Sequence, residues 1–269
     1  MKVAVVGAGS WGTALAMHLA RVGCEVSLWA HEEEVVEGIR GARRNPLFLS
    51  DFTIPEQVEV TGELAAAVAG ARAIVFVVPV QFAREVLRDL RPHLPADAVL
   101  VSASKGIEVA SLSRMDELVR AELGLPEGAF AALSGPSFAR EVAVGLPTAA
   151  VLAGTDATAL RELQEAFSDK SFRFYTASDV VGVELAGALK NVIAIAAGMA
   201  TGLELGLNAL AALLTRGLHE IARLGVTLGG REETFRGLAG MGDLVLTCTG
   251  ALSRNRSVGE RLGRGEPLE

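Results

Sequence analysis

The sequence predicts an α/β protein in which an N-terminal doubly wound sheet precedes an all-helical C-terminal domain. Apolar segments of strand length alternate with helical segments up to about residue 178. A glycine-rich turn follows the first of these apolar segments. After Ser178 only long apolar stretches with helical spacing remain. We therefore expect a sheet domain over residues 1–178 and a helical domain over residues 179–269.

The predicted strands of the first domain are apolar on both faces, which is typical of parallel strands covered by helices on both sides. They are residues 2–7, 25–29, 58–60, 73–78, 98–104, 130–135, 148–153 and 172–175. Helical spacing predicts helices over residues 10–22, 32–39, 62–69, 80–90, 111–122, 137–143 and 156–167. Residues 41–56 contain Asn45, Pro46 and Pro55, which favour turns, and are predicted as a loop.

The second domain is predicted to contain four helical stretches, over residues 179–203, 207–225, 232–247 and 254–263. The third stretch is interrupted by glycines. The longest apolar run, 192–203, is shorter than the ~20 residues that a membrane span needs. We therefore interpret it as part of a buried helix and expect no membrane insertion.

Charge and composition exclude several classes of protein. The chain has 269 residues, and its 25 basic and 32 acidic side chains give a net charge of −7 without a basic block, which argues against nucleic-acid binding. The two cysteines form no CxxC pair and the four histidines have no ligand spacing, so we expect neither a disulfide nor a metal site. The first residues read as a strand rather than a leader, and a cytoplasmic enzyme is expected.

Gly7, Gly9 and Gly12 form a GxGxxG pattern between the first strand and the first helix. In this context the pattern indicates a Rossmann-type dinucleotide-binding domain. The first glycine permits the tight turn, the second lets the backbone approach the pyrophosphate, and the third lets helix and strand pack closely. Ser10 and Trp11 open the helix whose N-terminus faces the phosphates. The alternative is an ordinary glycine-rich turn.

The end of the second strand bears on the choice between NADH and NADPH. An acidic residue there usually binds the ribose 2′-hydroxyl of NAD, but this chain has Ala30 and His31 at that point. His31 is suited to approach a 2′-phosphate, so we expect NADPH to be accepted, with NADH left open. The acidic run 32–34 weakens this inference, unless it is only the solvated first turn of a helix.

Lys190 lies on an apolar helical stretch. The residues on its face are all small: Ala186, Gly187, Ala194, Ala197 and Thr201. Such a lysine either extends its ammonium to water or faces a cavity. In a cavity, desolvation would lower the pKa of the ammonium toward the range of a general acid or base, which arginine cannot match. The sequence leaves both alternatives open.

Other candidate ligands follow two neighbouring strands. Lys105 comes just after the predicted strand 98–104, and Gly135 and Ser137 come at and after the end of 130–135. Ligands of doubly wound sheets bind at the carboxyl ends of the strands, which favours a ligand role for these three residues. The alternative for each is ordinary turn chemistry.

A second group of candidates lies near the C-terminus. Asp243 follows a Gly-Met-Gly segment and is placed either to orient Lys190, to accept a substrate hydroxyl, or simply to form a turn. Ser253 can cap a helix whose first turn contains Arg254 and Asn255. Free N–H groups and a guanidinium would there hold a phosphate, although a solvated helix cap is the alternative.

These stretches resemble the bacterial NAD(P)-dependent sn-glycerol-3-phosphate dehydrogenase family. The resemblance runs from the first residues to about residue 265 and is strongest in LSGPSFAREVA, GVELAGALKNVIAIAAG and GLAGMGDLVLTCTGALSRNR. It implies a Rossmann domain followed by a helical domain. It also implies reduction of dihydroxyacetone phosphate to sn-glycerol 3-phosphate with NADPH or NADH, for phospholipid synthesis. The family further suggests a homodimer.

The resemblance also implies roles for single residues. It makes Lys190 the proton-transferring residue. The implied cofactor ligands are the glycine motif with Ser10 and Trp11, together with His31, Lys105, Ala139 and Arg254. The implied substrate ligands are Lys105, Gly135, Ser137, Lys190, Asp243, Ser253, Arg254 and Asn255.

One departure from the family pattern concerns the C-terminus. The family continues with further helices that contribute to the cofactor site, so the resemblance implies that this chain stops short of them. This leaves a dinucleotide-binding form without turnover as one alternative. The other is a related two-domain dehydrogenase acting on a hydroxy acid or on a ketoacid such as ketopantoate, which should lack the SRNR element.

Overall fold

The computed structural model describes residues 1–126 and 128–267. Glu127 of the predicted sheet domain and residues 268 and 269 of the predicted helical domain lie outside this description. The chain divides into two compact units. The first comprises Met1–Leu133 and Ser137–Ser178, and the second comprises Ser134–Pro136 and Asp179–Glu269.

The first unit is built on an eight-stranded sheet with the order β3-β2-β1-β4-β5-β6-β7-β8. The strands are β1 (Lys2–Val6), β2 (Glu25–Trp29), β3 (Val58–Thr61), β4 (Ala73–Phe76), β5 (Val99–Ser102), β6 (Phe130–Ser134), β7 (Thr148–Gly154) and β8 (Phe172–Ala177). The six strand pairs whose register is described are all parallel. The order of β1 to β6 is that of a Rossmann fold, so the predicted fold class is confirmed.

Helices of the first unit lie between these strands. They are α1 (Ser10–Arg21), α2 (Glu33–Ala42), α3 (Leu64–Val68), α4 (Val80–Leu90), α5 (Met115–Leu123), α6 (Ala139–Val144) and α7 (Ala157–Phe167). The helix predicted from residue 111 begins only at Met115. Glu108 and Ser113 form a backbone hydrogen bond, and the side chain of Ser111 also bonds Glu108, so residues 108–113 form a turn instead.

The central strands of the sheet, β1, β4, β5 and β6, are buried on both faces, whereas the edge strands β3 and β8 alternate between buried and exposed residues. Successive residues of β1 belong to two different apolar clusters, with Val3 and Val5 in one and Ala4 and Val6 in the other. This double burial explains why the central strands have continuous apolar sequences rather than alternating patterns. It also places the ends of the strands, rather than the faces of the sheet, where a ligand can be reached.

The second unit is helical. Its helices are α8 (Val180–Gly202), α9 (Gly206–Thr227), α10 (Glu232–Arg236), α11 (Asp243–Thr249) and α12 (Arg254–Gly263). A π-helical segment, Leu238–Gly242, links α10 to α11. The predicted third stretch is therefore three short helical pieces. α8 has 23 residues and is apolar enough to span a membrane by length and composition. It nevertheless packs against α9, α11 and α12, as the core helix of this unit.

Candidate active site

The glycine motif forms the turn between β1 and α1. Gly7 has φ +114°, a conformation that side chains with a Cβ rarely adopt, and a Cβ there would lie 2.9 Å from the Val77 carbonyl oxygen. A Cβ on Gly12 would lie 1.8 Å from the Gly7 carbonyl oxygen. By contrast, apart from Gly9 itself and its two chain neighbours, no described residue has an atom within 4 Å of a Cβ built on Gly9. The space beside Gly9 therefore fits the close approach of a pyrophosphate.

The N-terminus of α1 is suited to an anion. Gly9 precedes the first residue, Ser10, and provides no side-chain cap for the backbone N–H groups of the first turn. No acidic side chain lies in that turn. The helix dipole and the N–H groups thus favour a phosphate at this point. Trp11 is half-buried, with its ring centroid 6.5 Å from that of Phe172.

The end of β2 has no carboxylate. Trp29 is buried and donates its indole N–H to the Gly62 carbonyl oxygen at 2.9 Å. His31 follows, is exposed, and has its ring centroid 6.0 Å from that of Trp29. Glu33 and Glu34 lie in the first turn of α2, where acidic side chains complement the helix dipole. The structure thus accounts for the acidic run without a role in cofactor binding.

Lys105 lies in a loop that follows β5 and is fastened to α4. Ser104 donates its hydroxyl to the Val78 carbonyl oxygen at 2.6 Å. Arg84 of α4 makes two hydrogen bonds to the carboxylate of Glu108, at 2.8 and 2.7 Å. These hydrogen bonds from Arg84 are the main cause that lowers the pKa of Glu108 to about 2, and the hydrogen bond from Ser111 is the second cause. The loop that carries Lys105 is therefore held on both sides of the lysine.

The segment after β6 is divided between the two units. Ser134–Pro136 belongs to the second unit, whereas Ser137 and Ala139, at the start of α6, belong to the first. Gly135 has φ +148°. In the second unit, Pro136 lies beside the π-helical segment, with its Cγ 3.5 Å from a Cβ built on Gly242. Gly135 therefore belongs to the same unit as Lys190. Its neighbour Pro136 lies beside the π-helical segment that precedes Asp243.

Lys190 is buried, with its side chain 8% exposed. Its Nζ lies 2.5 Å from Oδ1 of Asp243 and donates to the Thr247 hydroxyl at 2.9 Å. The neighbouring Ala194 and Ala197 on α8 are fully buried. The ammonium therefore does not extend to water, which removes one of the two alternatives that the sequence left open.

Asp243 and Thr247 occupy adjacent turns of α11. Thr247 donates its only hydroxyl proton to the Asp243 carbonyl oxygen at 2.6 Å, so toward Lys190 it acts as an acceptor. The side chain of Asp243 is 2% exposed. Asp243 is thus a helical residue rather than a turn residue, and its carboxylate contacts the Lys190 ammonium. Thr247 is not among the residues predicted from the sequence, although its spacing of four residues from Asp243 places both on one face of a helix.

Cys248 is buried close to this pair. Burial raises the pKa of its thiol to about 11, while the charge of Lys190 opposes this effect. The thiol is therefore protonated at neutral pH. Within the described part of the chain, no group of three or more His, Cys, Asp or Glu side chains is placed to hold a metal ion.

The N-terminus of α12 carries the predicted phosphate ligands. Ser253 is buried and caps the helix, with its Oγ accepting from the Arg256 N–H at 3.2 Å. Arg254 is exposed and Asn255 half-buried in the first turn. The predicted helix start after Ser253 is confirmed. A guanidinium and backbone N–H groups at one helix N-terminus can hold a phosphate.

Four glycines bring α12 into backbone contact with α8. A Cβ on Gly198 would lie 2.0 Å from the Arg256 carbonyl oxygen, and one on Gly259 would lie 2.0 Å from that of Ile195. Gly202 and Gly263 are similarly close to the facing helix. We call these four residues the glycine seam. It sets the position of Arg254 and Asn255 relative to Lys190 within the second unit.

Two family models match the chain. The model described as NAD-dependent glycerol-3-phosphate dehydrogenase N-terminus matches residues 2–160, and the corresponding C-terminus model matches residues 179–269. A glycerol-3-phosphate dehydrogenase [NAD(P)+] from Citrifermentans bemidjiense is 55% identical over 269 residues, covering 99% of this chain and 80% of that protein.

Solved structures agree with these matches. Glycerol-3-phosphate dehydrogenase from Coxiella burnetii has a TM-score of 0.94 and 43% identity, over 98% of this chain and 81% of that one. A ketopantoate reductase from Ralstonia eutropha has a TM-score of 0.56 and 19% identity, over 98% of this chain and 97% of that one, which shows a shared fold alone. The chain belongs to the NAD-dependent glycerol-3-phosphate dehydrogenase family.

Proposed function

We propose that this chain interconverts dihydroxyacetone phosphate and sn-glycerol 3-phosphate with NAD(P)H. The observation that carries the proposal is the buried contact of Lys190 with Asp243 and Thr247, in a chain of this family. A buried ammonium with two oriented partners is suited to donate a proton at a defined point. The 55% identical relative carries the same activity in its name.

The first unit would hold the cofactor. The open space beside Gly9 and the uncapped N-terminus of α1 fit the pyrophosphate, so Gly7, Gly9, Ser10 and Gly12 are the proposed phosphate turn. His31, Trp11, Lys105 and Ala139 are further proposed contacts in this unit, and the family resemblance adds Arg254 of the second unit. When bound, NAD(P)H supplies the hydride for the ketone carbon. The absence of a carboxylate at the end of β2 supports acceptance of NADPH.

Lys190 would act on the carbonyl oxygen of the substrate. As an ammonium it polarises the carbonyl and gives a proton to the developing alkoxide. Asp243 and Thr247 hold the ammonium in one position, so little reorganisation is needed at the moment of transfer. In the oxidation direction the neutral amine accepts the proton from the alcohol.

The phosphate of the substrate would be held at a distance from the reacting carbon. Arg254, Asn255 and the N-terminus of α12 are its proposed ligands, and Ser253 supports them by capping the helix. Binding energy from the phosphate then helps to orient the carbonyl toward Lys190. Lys105, Gly135 and Ser137 are further proposed substrate contacts.

Turnover of NADPH with a set of ketones tests the proposal. We expect reduction of dihydroxyacetone phosphate, and much slower reduction of unphosphorylated dihydroxyacetone and of ketopantoate. Preference for ketopantoate would instead support a ketoacid dehydrogenase. Tight NADPH binding without reduction of any ketone would support a dinucleotide-binding form without turnover.

Two variants test the individual roles. Lys190→Ala should abolish turnover while NADPH still binds, because the substitution removes the proton donor but not the glycine turn. Near-normal turnover would refute the role of Lys190. Arg254→Ala should raise the KM for dihydroxyacetone phosphate much more than that for dihydroxyacetone. Equal effects on both ketones would refute phosphate binding by Arg254.

The product of this reaction is the backbone precursor of glycerophospholipids. We place the enzyme in the cytoplasm, which is supported by the two buried free thiols, Cys24 and Cys248. The family resemblance supports a homodimer, and light scattering of the purified chain would test the dimer directly.

A further inference from the structure

We infer that Asn45 is a positioning residue for the dinucleotide, acting through the peptide group between Ala8 and Gly9. The inference rests on the proposed dinucleotide binding of the first unit. From the sequence, Asn45 was only one of several turn formers in a predicted loop. In the structure, its side chain connects that loop to the glycine motif.

Asn45 is fully buried, and its amide uses its entire hydrogen-bonding capacity. Its Nδ2 donates to the Ala8 carbonyl oxygen at 2.8 Å and to the Thr13 hydroxyl at 2.9 Å. Its Oδ1 accepts from the N–H groups of Leu47 and Phe48, at 3.1 and 3.0 Å. A buried amide with four partners has one allowed orientation, because any rotation would leave polar atoms unsatisfied.

The contact with Ala8 determines the direction of the next N–H group. The Ala8 carbonyl oxygen accepts from Asn45 and also from the Thr13 hydroxyl, at 3.1 Å, so both of its lone pairs are used. In a trans peptide the carbonyl and the following N–H point in opposite directions. Fixing the Ala8 carbonyl therefore fixes the N–H of Gly9, the residue with open space beside it.

The chemistry requires an amide at position 45. A carboxylate would present lone pairs to the Ala8 carbonyl oxygen and repel it, although it could still accept from Leu47 and Phe48. Asn45→Asp thus removes the contact with the phosphate turn and retains the contact within the loop. The variant therefore distinguishes a residue that positions the Ala8 peptide group from one that only stabilises its own loop.

A matched control is available in the same unit. Gln164 of α7 donates its Nε2 to the Phe174 carbonyl oxygen at 2.7 Å, so Gln164→Glu makes the same amide-to-carboxylate exchange away from the glycine motif. Both variants should lower the thermal midpoint of the cofactor-free protein. Only Asn45→Asp should weaken NADPH binding, by about tenfold or more, without changing the KM for dihydroxyacetone phosphate.

Variants of Thr13 test the inference independently of Asn45. Thr13→Val removes the hydroxyl that bonds both Asn45 and Ala8, and should also weaken NADPH binding, whereas Thr13→Ser retains the hydroxyl and should restore it. If Asn45→Asp does not fold, the comparison of Thr13→Val with Thr13→Ser still tests the inference. NADPH binding within twofold of the parent in both Asn45→Asp and Thr13→Val would overturn the inference.

Binding is measured directly, by quenching of tryptophan fluorescence with NADPH alone. The result is therefore separate from the proposed ketone reduction. A parent chain that binds NADPH but reduces no ketone would refute the proposed function, while the comparison of the Asn45 and Thr13 variants would still stand.

Discussion

The substitution Gly198→Ala tests how the second unit positions the proposed phosphate ligands, Arg254 and Asn255. It adds one methyl group in the glycine seam between α8 and α12. That methyl carbon would lie 2.0 Å from the Arg256 carbonyl oxygen. The obstacle is backbone rather than a flexible side chain, so the two helices must separate.

The structure sets the size of the effect. An ordinary contact begins at 3.4 Å, so α12 must move by about 1.4 Å relative to α8. Overpacking of this kind typically costs about 1–3 kcal/mol, which lowers the thermal midpoint of a chain of this size by several degrees. Because α12 carries Arg254 and Asn255, the KM for dihydroxyacetone phosphate should rise by about tenfold to a hundredfold.

Thermal unfolding and steady-state kinetics measure both consequences. Gly41→Ala is the matched control, since it is the same exchange in a helix, α2. Apart from chain neighbours and the backbone of the same helix, no described atom lies within 4 Å of the new Cβ. It should stabilise the protein by about 0.4–1 kcal/mol and leave the KM unchanged. If Gly198→Ala instead behaved like Gly41→Ala in both measurements, the close packing of α8 and α12 would be refuted.

Two further predictions concern buried and paired charges. Asp243→Leu leaves the Lys190 ammonium buried without its carboxylate and should cost about 3–5 kcal/mol in urea unfolding, whereas the double variant Lys190→Met, Asp243→Leu should recover most of this loss. A double variant no more stable than Asp243→Leu would contradict this reasoning. Hydrogen bonds from Arg84 lower the pKa of Glu108 from 4.5 to about 2. The ionised Glu108 therefore contributes fully to the free energy of unfolding above pH 4.5, and this contribution is lost as the pH falls toward 2. Glu108→Gln should therefore flatten the acid side of the stability profile, and a profile parallel to that of the parent would exclude the contribution.

The order of elements could be read from the sequence because it depends on local patterns. The residues of β2, Glu25–Trp29, are the residues predicted, since this short segment lies between the turn at Gly23 and the acidic start of α2. The glycine motif could also be predicted, because the turn between β1 and α1 is so tight that a Cβ on Gly12 would collide with the backbone of Gly7. The start of α5 could not be predicted, since it depends on a turn that is held by hydrogen bonds between Glu108 and residues 111 and 113.

The environment of Lys190 shows the limit of such reasoning. Small neighbours on α8 allow either exposure to water or burial, and nothing in the local sequence separates the two. The partner Thr247 lies 57 residues further along the chain and reaches the lysine only because α11 packs against α8. The same holds for Asn45, whose contact with Ala8 spans 37 residues.

The sequence by itself therefore determined the fold class, the glycine turn between β1 and α1, and the helix cap at Ser253, because each follows from backbone sterics and hydrogen bonding between near neighbours. Only the tertiary structure decided that the Lys190 ammonium is buried against Asp243, and that Asn45 holds the turn at Ala8. The physical reason is that burial and charge pairing depend on residues that are distant in the chain, which local patterns do not encode.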